Sequence, residues 1–221
     1  MSRQINPQAM PPATALVFNK LAAQKFISDY ILVGGTALSL QIEHRLSEDL
    51  DFVIDAEKIN PNSIKRNISK LFPGYKIIRQ DNGWQVDMIV DTVKLTFFST
   101  SAVDIGFSVK NHAFQYGKVN ICDAKTIASL KLAVIAQRNT IRDYYDLFML
   151  TKYHYPLKDI IHQTKSLFPG LSPITYSETL IYTDDIEEEN IAAHLSPVEI
   201  LSKNQIADYF TEELKKIKNE I

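Results

Sequence analysis

Residues 31–54 read ILVGGTALSLQIEHRLSEDLDFVI, and this stretch decides how the rest of the chain is read. Tyr30–Val33 predicts a short buried strand stopped by Gly34-Gly35, after which Thr36–Glu43 predicts a helix. Asp49–Ile54 predicts a second strand with a carboxylate on each side of Leu50. Side chains alternate along a strand, so Asp49 and Asp51 share one face while Leu50 and Phe52 point to the core. Two carboxylates about 4 Å apart, at an effective dielectric of about 20, repel by on the order of 4 kcal/mol. A divalent cation offsets that repulsion. Mg²⁺ takes one or two protein carboxylates and completes its shell with substrate phosphates and water. The plain alternative is that one aspartate ends the strand and the other is exposed.

The glycines have two readings as well. Strand, Gly-Gly, helix lets a backbone approach a phosphate closely, with helix N-terminal N–H groups aimed at the anion. A tight turn that needs glycine for its dihedrals is the other. The Gly-Lys-Ser/Thr element of a Walker loop is absent, and so is the dinucleotide fingerprint. Between the glycines and the carboxylates, Arg45 could hold a phosphate bidentately and Ser47 could hydrogen-bond one. Thr36 could add a hydroxyl to the cradle or cap the helix.

Bulk properties narrow the field. The chain has 221 residues, 45% hydrophobic and 23% charged, which is ordinary for a soluble globular protein. Its formal net charge of -2 gives no global attraction to nucleic acid, so a polyanionic partner needs a local basic patch. The single cysteine, Cys122, excludes an internal disulfide framework and reads as a small core residue. No window approaches a membrane span and the N-terminus is too polar for a signal peptide, so a cytoplasmic location without membrane contact is expected. The histidines show no metal-ligand spacing. Trp84, Tyr144, Tyr145 and Phe148 read as packing residues. Lys215, Lys216 and Lys218 read as a solvated helix face, and the acidic run Asp184–Glu189 as a solvated helix face or turn.

The pattern along the chain gives an α/β half followed by a helical half, divided as 1–120 and 121–221. Ala13–Ser28 predicts an amphipathic helix, and Asn60-Pro61 opens another. Tyr75–Arg79, Trp84–Val90 and Val93–Phe98 predict strands, residues 99–117 a loop, and Lys118–Ile121 a last short strand. Beyond Asp123, helices are expected over Ala124–Arg138, Thr140–Tyr153, Lys158–Phe168 and Pro197–Lys218.

GGTAL at 34–38 and HRLSEDLDF at 44–52 resemble the nucleotidyltransferase signature of the DNA polymerase β superfamily, in the form carried by AbiEii/AbiGii-type toxins. The resemblance implies an α+β fold: a polymerase β-like core with a mixed or antiparallel sheet and flanking helices, then a helical C-terminal domain. It further implies that Gly34, Gly35 and Thr36 bind the triphosphate and that Asp49 and Asp51 hold Mg²⁺. The family adds a lysine motif and an Arg-Asp-x-x-Asp-Leu-like motif. LKLAVIAQRNTIRDYYDLFML at 130–150 resembles these, with Lys131, Asp143 and Asp146 in the matching places.

The residues of this second stretch support a special role on their own terms. Lys131 falls inside an apolar stripe formed by Ile127, Leu130, Val134 and Ile135, where a lysine must snorkel or be paired. Asp143 and Asp146 share a helix face, and Arg138 is expected on the face of Lys131. A buried Lys–Asp contact explains this pattern, and so does a lysine on the triphosphate with an aspartate as its positioner or as a base. One departure concerns the third carboxylate that polymerase β-type enzymes often carry on a later strand. VKLTFF offers Thr96 there, with Asp87 on a neighbouring strand as the alternative.

The function implied is Mg²⁺-dependent transfer of a nucleotidyl group from an NTP to an acceptor hydroxyl, with pyrophosphate released. The resemblance makes this the toxin of a toxin–antitoxin or abortive-infection pair, with RNA, tRNA in particular, as acceptor and an antitoxin as partner. The rival readings are transfer to a protein or small molecule, and a degenerate NTP-binding or partner-binding module.

Overall fold

The computed structural model describes residues 5–138, 140–188, 190, 191 and 196–218. The chain divides into two compact units, Met1–Asp123 and Ala124–Ile221. Among the described residues no helix is long and apolar enough to cross a membrane.

The first unit is built on a seven-stranded mixed sheet in the order β3-β4-β5-β2-β1-β7-β6. Its strands are β1 (Ile31–Val33), β2 (Leu50–Ile54), β3 (Lys76–Asp81), β4 (Gln85–Val90), β5 (Val93–Ser99), β6 (Ala113–Tyr116) and β7 (Val119–Cys122). β2 runs antiparallel to β1 and parallel to β5, and β1 runs parallel to β7. One lateral row joins Leu32, Phe52, Phe97 and Val86, all fully buried, with the Phe52 and Phe97 rings stacked 5.3 Å apart. This is the core face. The next row along the strands, on the opposite face, joins Val33, Asp51, Thr96, Asp87 and Arg79.

Three helices belong to this unit: α1 (Pro12–Ala22), α2 (Gly34–Ile42) and α3 (Pro61–Leu71). Asn60 caps α3 by accepting from the Ser63 N–H at 3.0 Å. The helix expected over Ala13–Ser28 stops at Ala22 and gives way to a 3-10 turn at Lys25–Asp29. The Ala22 carbonyl is taken by the Lys118 N–H, at the turn between β6 and β7, instead of continuing a helical ladder. α2 begins at Gly34 and not at Thr36, so both glycines lie in its first turn.

The segment 99–117 is not a plain loop. It forms two 3-10 turns, Thr100–Val103 and Val109–His112, and then β6, which hairpins onto β7. Asp55, just past β2, organises it: the carboxylate accepts from Ser108 Oγ (2.7 Å), the Val109 N–H (3.0 Å) and the Lys110 N–H (3.0 Å). Trp84, expected to pack, is 51% exposed at the turn before β4.

The second unit consists of α4 (Ala124–Val134), α5 (Ile141–Tyr153), α6 (Leu157–Leu167), α7 (Pro173–Ile181) and α8 (Lys203–Ile217). α5 is buried almost all round, as a central helix must be, and Tyr144, Tyr145 and Phe148 are in its packed surface. The expected helix over Pro197–Lys218 starts only at Lys203, where Ser202 and Gln205 form a reciprocal capping box. Asp184 and Asp185 form a turn, while Glu189 of the acidic run lies outside the described residues.

Asp55→Ala removes three acceptor contacts at once. It should lower stability by about 2–4 kcal/mol, with the amides of 108–112 losing hydrogen-exchange protection ahead of those in β2 and β5.

Candidate active site

The antiparallel pairing of β1 and β2 sets Val33 opposite Asp51, so the last residue of β1 delivers the chain into α2 beside that aspartate. Gly34 adopts φ +72°, and a Cβ there would lie 3.1 Å from Asp51 Oδ2. The glycine is required twice, by its left-handed backbone and by the close carboxylate. The N-cap of α2 is Val33, whose own side chain offers no capping hydrogen bond. An anion-attracting helix end thus stands against a carboxylate.

Gly35 makes room for a different group. A Cβ there would sit 2.7 Å from Arg45 Nη2 and 3.0 Å from Ser47 Oγ. Arg45 is buried, donates from Nη1 to the Leu46 carbonyl at 2.9 Å, and so lays its guanidinium on the first turn of α2. Thr36 is buried too. Its hydroxyl donates to the Asp49 carbonyl and shares a 2.9 Å hydrogen bond with Ser47 Oγ. Thr36 therefore ties the helix start to the entry of β2 and does not cap α2. Gly34, Gly35, Thr36, Arg45, Ser47 and Asp51 converge at one end of β1 and β2, and Asp49 joins them through its backbone carbonyl.

Asp49 and Asp51 are both half-buried, with the fully buried Leu50 between them. Among the described residues no group of three or more His, Cys, Asp or Glu is placed to hold a metal ion. Two carboxylates on the entry of β2 are a donor set that suits Mg²⁺ completed by phosphate oxygens and water. The place beside Asp51 on β5 belongs to Thr96, whose buried Oγ1 has no hydrogen-bond partner among the described residues. Asp87 follows one strand further out, buried, accepting from Gln85 Nε2 at 2.8 Å. Both residues are named from the sequence, Thr96 for this place and Asp87 on a neighbouring strand; the strand pairing sets Thr96 beside Asp51 and Asp87 beyond it.

The second unit holds the other predicted cluster. Lys131 Nζ lies 2.6 Å from Asp143 Oδ1 and 2.8 Å from Asp146 Oδ2, and all three residues are buried. Lys131 stands among the buried Ile127, Ala128, Leu132 and Ile135, while Leu130 and Val134 are only half-buried, so the lysine is nearer the centre of the packed face than expected. Burial pushes the Asp143 carboxyl up, but the charge and hydrogen bond of Lys131 outweigh it and hold Asp143 below the usual carboxylate range. Thr140 Oγ1 adds a 3.1 Å hydrogen bond to Asp143, a contact not anticipated from the sequence. Arg138 is not on the Lys131 face: α4 ends at Val134, a 3-10 turn covers Ile135–Gln137, and Arg138 is extended and exposed. Its charge still acts on Asp143.

A mixed sheet with a strand–Gly-Gly–helix turn against an Asp-x-Asp strand, joined to a helical unit, defines a nucleotidyltransferase-type fold. Residues 15–169 match the family described as "Nucleotidyl transferase AbiEii toxin, Type IV TA system", and the chain belongs to that family of nucleotidyltransferases. A relative in Aquifex aeolicus, the uncharacterized protein aq_aa25, is 29% identical over 195 residues, spanning 86% of this chain and 92% of that one. Two solved structures share the fold. JHP933 from Helicobacter pylori has a TM-score of 0.55 at 18% identity, covering 98% of this chain and 96% of that one. MenT4, a nucleotidyltransferase toxin of Mycobacterium tuberculosis, has a TM-score of 0.57 at 14% identity, covering 92% and 84%.

Two outcomes follow from this geometry. Gly34→Ala should cost about 1–2 kcal/mol from the left-handed backbone alone, measured by urea unfolding, and shift the carboxylate of Asp51. Lys131→Met leaves two buried carboxylates facing each other and should cost about 3–5 kcal/mol. The folded-state pKa of Asp143 is depressed, so its stabilisation is complete above its unfolded pKa of about 4 and is lost as pH falls below that value. Unfolding titrations from neutral pH downward should show this loss in the parent, with a shallower slope in Asp143→Asn.

Proposed function

We propose that the chain moves a nucleotidyl group from an NTP to an acceptor hydroxyl using a divalent cation held by Asp49 and Asp51. The observation that carries this reading is the close approach of Asp51 Oδ2 to the Gly34 turn, 3.1 Å from where a Cβ on Gly34 would lie. It places a metal-type carboxylate against an anion-attracting helix end, and an NTP–Mg²⁺ complex satisfies both. Backbone N–H groups at Gly35 and Thr36, with Arg45 and Ser47, orient the triphosphate. As the family resemblance implies, Lys131 is proposed as a further phosphate ligand, with Asp143 and Asp146 positioning its ammonium. The cation, when bound, supplies charge stabilisation at the α-phosphate. The acceptor oxygen bonds to the α-phosphorus, the α–β bridging bond breaks, pyrophosphate leaves, and the hydroxyl proton is lost to water.

Family membership supports a toxin with a cognate antitoxin, and RNA, tRNA above all, is the acceptor we favour. Thr96 beside Asp51 favours a second reading, NTP binding without transfer, because no carboxylate stands there to receive the hydroxyl proton.

Purified protein with each labelled NTP, Mg²⁺ and total RNA decides between them. Label should enter tRNA and fall at least ~100-fold in Asp51→Asn. Label in protein alone would move the acceptor assignment, and NTP binding with no transfer would leave the second reading.

A further inference from the structure

The helical unit contains a surface that the catalytic reading does not use. A groove of about 550 Å³ runs between α7 and α8, close to the end of α6. Nearly all of its lining lies after residue 169, where the family match ends, so membership assigns it no role.

Both helices that form it have two distinct faces. α7 turns Tyr176 and Leu180 into the core, 3% and 0% exposed. Its opposite face lines the groove with Ile174 and Ile181, one helical repeat apart, which are 68% and 42% exposed. α8 buries Ile206 and Phe210 and presents Thr211, Leu214, Lys215 and Lys218 to the same groove. A helix apolar on both sides is usually covered on both sides. Ser177, between the two isoleucines, has a buried Oγ with no hydrogen-bond partner among the described residues. The rim is positively biased: Lys165, Lys215 and Lys218 stand against Glu178, with Lys215 also within 2.8 Å of Glu212.

We propose that this groove docks an acidic amphipathic helix of a separate polypeptide. Ile174 and Ile181, two turns apart on α7, with Leu214 of α8 facing the same groove, match the anchors of a helix laid in a groove. The lysine rim selects glutamate or aspartate on its flanks. A second copy of this chain fits poorly, because a symmetric contact through this face brings six lysines together with two Glu178, and among the described residues only Lys215 of each copy is already paired, with Glu212. The inference is independent of the nucleotidyl-transfer reading, and its test uses no nucleotide.

The probe is a fluorescein-labelled peptide with leucines on one helical face and glutamates on the other, beside a control with lysines for glutamates. Fluorescence anisotropy with the full chain should show saturable binding of the acidic peptide only. Ile174→Asp, at an exposed position that the fold does not need, should weaken it at least ~tenfold. The double change Lys165→Glu with Lys218→Glu should reverse the preference toward the basic control. No binding, equal binding of both peptides, or binding unaffected by Ile174→Asp would overturn the proposal. So would a concentration-dependent dimer in sedimentation that Ile174→Asp abolishes.

Discussion

The close approach of Asp51 to the Gly34 turn is the constraint on which the candidate site of the first unit depends. It exists because β1 and β2 are antiparallel neighbours in a register that sets Val33 against Asp51. A side chain at residue 34 would press on the carboxylate and force it to shift, and would have to adopt the left-handed backbone that Gly34 holds at φ +72°. Arg45 and Ser47 exploit the second glycine in the same way, packing where a methyl group would have been. The glycines are thus spaces shaped by their neighbours, and Thr36 fastens the two sides of that space together.

The second unit solves a different electrostatic problem. A lysine in the packed face of α4 is tolerable only with charge compensation, and two aspartates from α5 supply more than enough. The excess negative charge stays localised because the site is buried, and Lys131 keeps Asp143 ionised in spite of it. A neutral core would be simpler to pack.

Local signals were readable where one segment suffices. The strand–Gly-Gly–helix–strand order, the capped start of α3 and the lysine within an apolar stripe are all short-range patterns, and each has its counterpart in the structure. The misreadings share a cause, namely a distant partner. α1 stops early because Lys118 takes the Ala22 carbonyl, and segment 100–112 is ordered because Asp55 reaches it. Arg138 left its expected face because α4 tightens into a 3-10 turn after Val134, a change that helical periodicity does not signal. Thr96 and Asp87 are both named from the sequence, but their order outward from Asp51 needs the strand order, because β5 lies beside β2 although β3 and β4 come between them in the chain. Within the candidate site, the sequence could name Arg45 and Ser47 but not that both press on Gly35.

The register of β1 and β2 also limits how this chain can vary in length. The connection from Glu43 to Asp49 bridges the end of α2 and the start of β2, and Thr36 and Gly35 grip it from within. A single residue gained or lost there would either bulge or slip β2 by one position. A slip exchanges the two faces of the strand, sending both aspartates into the stacked phenylalanine core and bringing Leu50 and Phe52 to the Gly-Gly turn. Surface loops elsewhere can absorb insertions, but this short connection behaves as a fixed-length ruler, and its length is as much a part of the site as the residues it contains.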